Sequence, residues 1–182
     1  VLFFLNNFND VDHMAPLIHR LLQDQCRVRA IGFKDYHLKN DLRMRDFKNA
    51  FPEHITIFTV GTKDNYLRRF ARRITNFLLF NRPLVSYLLK RWSVQYCVST
   101  WCDPISKGAQ TRFILAAKNQ GIKNYCFPHG HNIFLNHDVN TYLKKFYLAN
   151  GRGPDFQTRN LFDLYVVQTE HHRVLNVELG MS

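Results

Sequence analysis

The chain has 182 residues, of which 46% are hydrophobic and 14% aromatic, and its formal net charge is +11. This length suits one domain with a sizeable core, and the composition excludes a disordered chain. No apolar run is long enough to span a membrane, and the short apolar start lacks the basic region of a secretory signal. Because the sequence begins at Val1 rather than Met, we expect a segment trimmed from a longer protein.

Short apolar runs alternate with stretches of helical spacing along the chain. This alternation predicts βαβ crossovers and therefore an α/β fold, a Rossmann-like, mostly parallel sheet with helices on both faces, in a single domain spanning 1–182. Asp12 is predicted to cap the first helix, and Gly121 and Gly180 are predicted to end later ones. The expected strands are 1–5, 28–33, 55–60, 94–99, 124–127 and 164–167, and the expected helices 14–22, 35–50, 65–80, 83–91, 103–120 and 170–179.

The predicted loop after the first strand, Asn6-Asn7-Phe8-Asn9-Asp10-Val11-Asp12, contains no glycine. A dinucleotide fingerprint requires glycines there, for the tight turn and for close approach of the pyrophosphate. A Walker-type loop is also missing from the sequence. We therefore expect no bound nucleotide cofactor of the usual first-loop kind. Asp10 and Asp12 are candidate substrate-binding residues, with helix capping as the simpler alternative.

The strongest candidate site is the segment Cys126-Phe127-Pro128-His129-Gly130-His131-Asn132. Pro128 ends the preceding strand and Gly130 permits a tight turn, so His129 should lie just past a carboxyl strand end. Ligands bind at that edge in open α/β sheets, and histidine is a frequent general base. The candidate catalytic residue is therefore His129, and the candidate substrate-binding residues beside it are Gly130, His131, Asn132 and, after the fourth strand, Asp103.

The four cysteines have no disulfide framework and indicate reduced thiols of a cytoplasmic protein. A metal site built from Cys97, Cys102, Cys126 and His129 is conceivable, but only Cys97 and Cys102 form a close pair. We therefore expect no metal.

Basic residues concentrate between 65 and 91, interleaved with phenylalanine and leucine. A solvated helix face is the simple explanation, and docking on an anionic membrane surface is the alternative that predicts function. Nucleic acid is disfavoured as a partner because no recognised binding motif accompanies the charge. The candidate membrane-binding residues are Arg68, Arg69, Arg72 and Arg73.

Three segments resemble the N-terminal domains of GT-B-type envelope-polysaccharide enzymes. These segments are Asn9-Asp10-Val11-Asp12-His13-Met14-Ala15-Pro16-Leu17-Ile18, Phe127-Pro128-His129-Gly130-His131-Asn132-Ile133-Phe134, and Phe162-Asp163-Leu164-Tyr165-Val166-Val167-Gln168-Thr169. The second resembles a histidine-glycine loop of CDP-glycerol glycerophosphotransferases and related capsule transferases. The third is similar to the close of that domain, a pattern that UDP-N-acetylglucosamine 2-epimerases share.

This resemblance implies one half of a GT-B architecture, on the acceptor side. A second domain, absent from this chain, would bind the nucleotide-activated donor, and the acceptor would be a glycan or a lipid-linked molecule. The implied function is glycosyl or polyol-phosphate transfer in bacterial surface polysaccharide synthesis, at the inner face of the cell membrane, with His129 as base. The alternatives are a UDP-sugar 2-epimerase domain and a non-catalytic Rossmann-like ligand-binding or interaction domain.

Overall fold

Six parallel strands form one sheet in the order β3-β2-β1-β4-β5-β6. The structure is a computed structural model, and it describes residues 1–33, 36–60, 82–100, 108–127, 148–151, 157–167 and 169–182. The strand order confirms the predicted Rossmann-like α/β fold. The strands are β1 (Leu2–Phe4), β2 (Val28–Gly32), β3 (Ile55–Thr59), β4 (Tyr96–Ser99), β5 (Lys123–Cys126) and β6 (Leu164–Tyr165).

Helices cover both faces of the sheet, as the alternating pattern predicts. Side chains of α1 and α2 belong to one buried cluster and those of α3 and α4 to another. The helices are α1 (Phe8–Gln23), α2 (Leu42–Ala50), α3 (Arg82–Arg91), α4 (Ala109–Asn119) and α5 (Glu170–Glu178), with 3₁₀ turns at Leu38–Asn40 and Gln157–Leu161.

The amphipathic spacing of α1 explains the core on its side of the sheet. Val11, Met14, Ile18 and Leu22 recur at intervals of three and four residues and are all buried against the strands. Burying each such side chain contributes about 1.5–3 kcal/mol. Pro16 lies inside this helix, on its exposed side.

Aromatic rings build the core on the opposite face. The fully buried Phe113 of α4 lies 5.8 Å from Phe4, 5.9 Å from Phe33 and 6.4 Å from Trp92, between ring centroids. Phe4 and Phe33 lie at the carboxyl ends of β1 and β2, whereas Trp92 precedes β4. Phe113 therefore packs against residues from both edges of the sheet.

The first helix begins earlier than its apolar spacing indicates. Asp12 was expected to cap it, but α1 starts at Phe8, and Asn7 is the N-cap residue. The Asn7 side chain accepts a hydrogen bond from the backbone N of Asp10 at 2.9 Å. Residues 8–12 are thus helical rather than part of a loop, and the prediction of an Asp12 cap is wrong.

Two other predicted helices have different boundaries. The stretch 35–50 divides at Asp41, whose carboxylate accepts from the backbone N of Met44 and caps α2. The helix expected from 103 to 120 instead begins at Ala109, because Gly108 is an extended N-cap residue. Gly121, at φ +70°, follows its end, as predicted.

The helix predicted over 83–91 is confirmed as α3. The helix predicted over 65–80 lies outside the described residues. Among the helices that the structure describes, none has the length and apolar character needed to cross a bilayer.

Candidate functional site

The strand order reverses between β1 and β4, at the centre of the sheet. The chain proceeds from β1 outward through β2 to β3, then returns to β4 on the other side of β1. In doubly wound sheets this reversal opens a crevice at the carboxyl ends of the two central strands, where ligands bind. The segments that follow β1, β4 and β5 therefore define the candidate site.

Asn6 connects three segments at this edge. Its Oδ1 accepts from the backbone N of Phe33, just after β2, at 3.0 Å, and its Nδ2 donates to Oε1 of Gln110, in the first turn of α4, at 2.8 Å. The residue is only 8% exposed. Asn6 therefore fixes the relative positions of three segments that border the crevice.

Asp10 closes the turn that follows β1. Its Oδ2 accepts from the backbone N of Asn6 at 2.7 Å, and the residue is 3% exposed. This places a carboxylate at the amino end of α1, where a helix would otherwise favour a phosphate. The geometry therefore favours a loop-shaping role for Asp10 and disfavours a phosphate at this helix end.

Asp12 lies in an ion-pair cluster with α2. Its Oδ1 accepts from Nη1 of Arg43 at 2.7 Å, and Nη2 of Arg43 donates to Oδ2 of Asp41 at 2.8 Å. Tyr36 donates its hydroxyl proton to the same Asp41 oxygen. Asp12 thus joins α1 to the start of α2, whereas the Asn6 network joins α1 to β2 and α4.

This cluster shifts two pKa values in opposite directions. Burial alone would raise the pKa of Asp41, but hydrogen bonds from Arg43 and Tyr36 outweigh it and leave that pKa below its usual value. Burial and the hydrogen bond to Asp41 raise the pKa of Tyr36 to about 12. The carboxylate is therefore charged and the phenol neutral at physiological pH.

The ends of β4 and β5 form the other side of the crevice. Ser99 and Thr100 are 1% and 2% exposed, and the backbone N of Phe127 donates to the Ser99 carbonyl at 2.8 Å. The Cys126 thiol lies 3.8 Å from the Thr100 carbonyl. The ladder between β4 and β5 therefore continues to Phe127, two residues before His129 in the sequence.

The main candidates from the sequence lie outside the described residues. This holds for the catalytic candidate, for the substrate-binding candidates after β4 and β5, and for the membrane-binding candidates, so each stays a prediction. These residues are His129, Gly130, His131, Asn132 and Asp103, together with Arg68, Arg69, Arg72 and Arg73.

Sequence reasoning did not single out Asn6 or Gln110. A polar residue immediately after a buried apolar strand is a usable signal of a site at the carboxyl ends of the strands, and Asn6 fits it. Gln110 carries no such signal, because it lies 104 residues from Asn6 in the chain. Only the fold brings this pair together.

Within the described ranges, no cluster of three or more potential metal ligands occurs. Burial raises the pKa of the Cys97 thiol to about 12, which disfavours the thiolate that a metal would need. This weakens the four-ligand alternative that includes Cys97.

Comparisons with protein-family models, with curated proteins and with solved structures found no match to this chain.

Proposed function

We propose that this chain is the acceptor-side domain of a glycosyl- or polyol-phosphate transferase in bacterial surface polysaccharide synthesis. The observation that carries the proposal is the reversal of strand order between β1 and β4, where Asn6 bonds the segment after β2 and the first turn of α4. Chain length alone keeps the Cα of His129 within about 7 Å of the Cα of Phe127. The resemblance of the histidine-glycine segment to capsule transferases then supports group transfer as the reaction at this edge.

In the proposed reaction, an acceptor hydroxyl oxygen attacks the activated sugar carbon or the polyol-bearing phosphorus of a nucleotide donor. A bond forms from this oxygen to the attacked atom, and the bond to the leaving nucleotide phosphate breaks. His129 accepts the hydroxyl proton, and the nucleotide leaves with the electron pair. General-base assistance of this kind contributes about 10²–10⁴-fold to the rate. Gly130, His131, Asn132 and Asp103 are the proposed acceptor contacts.

The donor nucleotide is assigned to another domain because, in this domain, protein side chains already occupy the amino end of α1, where a phosphate would otherwise bind. Asn7 caps α1, and the Asp10 carboxylate satisfies the backbone N of Asn6 at the same helix end. A second carboxylate or a phosphate placed there would meet the negative charge of Asp10. The proposal therefore expects this chain alone to bind donor nucleotides weakly.

We further propose that the protein docks on the inner face of the cell membrane. The basic segment that contains Arg68, Arg69, Arg72 and Arg73 immediately precedes α3, which exposes Arg82, Lys90 and Arg91. Each basic group near an anionic surface contributes about 1 kcal/mol. Replacing the four arginines by glutamine should release the protein from anionic liposomes at moderate salt, and a wild-type protein that ignores such liposomes at low salt would contradict the proposal.

The test of function uses the full natural protein that contains this sequence. It is incubated with CDP-polyol and UDP-sugar donors, with and without a surface-glycan acceptor, and nucleotide release is measured. Release that requires the acceptor supports the transferase. Acceptor-independent conversion of a UDP-sugar into its 2-epimer would favour the epimerase, and binding without turnover of any donor would favour a non-catalytic domain.

A further inference from the structure

A cavity of about 570 Å³ lies along the α1 side of the sheet, from the amino ends of β1, β2 and β4 to Phe127 after β5. Arg29 and Trp92, which contact each other on the opposite face, line it at the amino ends of the strands. Leu17 and Leu21 of α1 line one wall. The sheet residues Tyr96, Val98 and Tyr125 line another. This volume is within the range of roughly 300–1,000 Å³ that small-molecule sites occupy, and its walls suit an apolar ligand body.

The charged side chains in the cavity lining are Arg27 and Arg29, both positive. Nη1 of Arg29 donates to the backbone carbonyl of Trp92 at 3.0 Å, and the guanidinium carbon lies 5.8 Å from the centroid of the Trp92 ring. Neither arginine forms an ion pair with a carboxylate of the described residues. Besides the amino-terminal ammonium of Val1, the cavity lining thus carries two arginine charges, and no carboxylate of the described residues pairs with either arginine.

The surroundings of Arg29 also disfavour its charge. Burial, and after it the nearby charge of Arg27, lower the pKa of Arg29. A guanidinium nevertheless stays protonated at physiological pH, because its pKa exceeds that of other side chains by a wide margin. An anion beside this pair would relieve both the desolvation and the repulsion.

We propose that this cavity binds a small amphipathic anion, a carboxylic acid with a medium-length aliphatic body. The carboxylate would pair with Arg29 and Arg27, and the body would lie between α1 and the side chains of β4 and β5. Burial of its apolar surface would supply most of the affinity, and the arginines would select the charge. The inference does not rest on the proposed transferase role, because none of Asn6, Asp10 and Asp12, the described residues of the candidate site, lines this cavity.

The test is calorimetric titration of the chain with decanoate, decan-1-ol and decyltrimethylammonium, all below their micelle concentrations. Decanoate should bind at least about tenfold more tightly than the alcohol, and the cation should not bind measurably. Arg29→Gln and Arg27→Gln should each weaken decanoate binding about tenfold to a hundredfold. Arg45→Gln is the matched control, because Arg45 is exposed on α2 and does not line the cavity.

A filling variant tests the location. Gln95 is exposed on the cavity wall, so Gln95→Trp should abolish decanoate binding while leaving the thermal melt close to that of the wild type. If Arg29→Gln does not fold, Arg27→Gln and Gln95→Trp decide the matter. Three results would each overturn the proposal: no decanoate binding by folded wild-type protein, equal affinity for the alcohol, or unchanged affinity in the folded variants.

Discussion

The two edges of the sheet use their polar groups differently. At the carboxyl edge, Asn6 hydrogen-bonds to Asp10, Phe33 and Gln110. These bonds hold the edge together within the protein. At the amino edge, Arg29 donates to the Trp92 carbonyl and lies over the Trp92 ring beside the cavity, and no carboxylate of the described residues pairs with it. The comparison teaches that the described polar groups of the carboxyl edge bind one another, whereas the arginines of the amino edge have no carboxylate partner among the described residues.

The largest stability effect is expected where the two edges share a side chain. Phe113 contacts Phe4 and Phe33 near one edge and Trp92 near the other. Phe113→Ala should lower the free energy of unfolding by about 3–5 kcal/mol, because a fully buried ring is lost and a cavity remains. Urea denaturation measures this loss. Tyr87→Ala, on the exposed side of α3, is the control, and an equal loss in both variants would contradict the shared-core account.

A smaller loss of stability is expected from variants that affect the carboxyl edge and leave the amino edge unchanged. Asn6→Ala leaves the backbone N–H of Phe33 without its acceptor and should cost about 1–3 kcal/mol of unfolding free energy. Gln110→Ala removes the side-chain hydrogen bond with Asn6, and the loss of that bond should cost about 0.5–1.5 kcal/mol. Decanoate affinity, measured in the same proteins, should remain at the wild-type level. An Asn6→Ala variant that is as stable as the wild type would show that the carboxyl edge is not held by this residue.

The smallest expected effect is the loss of stability at acid pH. Asp163 immediately precedes β6 and accepts hydrogen bonds from Lys123 and Asn124 at the amino end of β5. Burial alone would raise the pKa of its carboxyl, but these bonds outweigh it and hold that pKa below the usual value. The pKa of Asp41, near the other edge, is also lowered. Groups with lowered pKa values stabilise the fold above their unfolded pKa, about 3.9 for aspartate, and lose this contribution as the pH falls through the folded value.

Stability should therefore fall as the pH drops below about 4. The double variant Asp41→Asn, Asp163→Asn should be less stable than the wild type at pH 5.5 but should lose less on transfer to pH 3. Urea midpoints at the two pH values measure this difference. A double variant with the same acid sensitivity as the wild type would assign the pH dependence to other carboxyl groups.

The strands were predictable because all are short and the central ones, β1, β2 and β4, are apolar and largely buried, which leaves a continuous signal in the sequence. The parallel direction of the strands then followed from the alternation of strands and helices. Helix starts were less predictable, because Asn7 and Asp12 are both chemically competent caps and the local sequence does not decide between them. Asn7 is the cap in the fold, where the neighbouring Asn6 is tied to Phe33 and Gln110.

The candidate site likewise has a part that the sequence predicted and a part that it did not. Its position past the carboxyl ends of the strands followed from the pattern, and the described ends of β1, β4 and β5 lie at that edge. The hydrogen bonds of Asn6 could not be foreseen, because its partners lie 27 and 104 residues away in the chain. The cavity also escaped prediction, since Arg27, Leu21 and Tyr125 share a surface only after folding.

The central claim is that the carboxyl edge carries the chemistry through His129, and one matched pair of variants tests it. His54 is the control, because it immediately precedes β3 at the opposite edge and bonds the Gln25 carbonyl at 3.0 Å. Turnover and thermal melts are measured on both variants in the full natural protein. His129→Ala should lower turnover by about two to four orders of magnitude with a melt like that of the wild type, and His54→Ala should retain turnover. Near-normal turnover in a folded His129→Ala variant would contradict the claim.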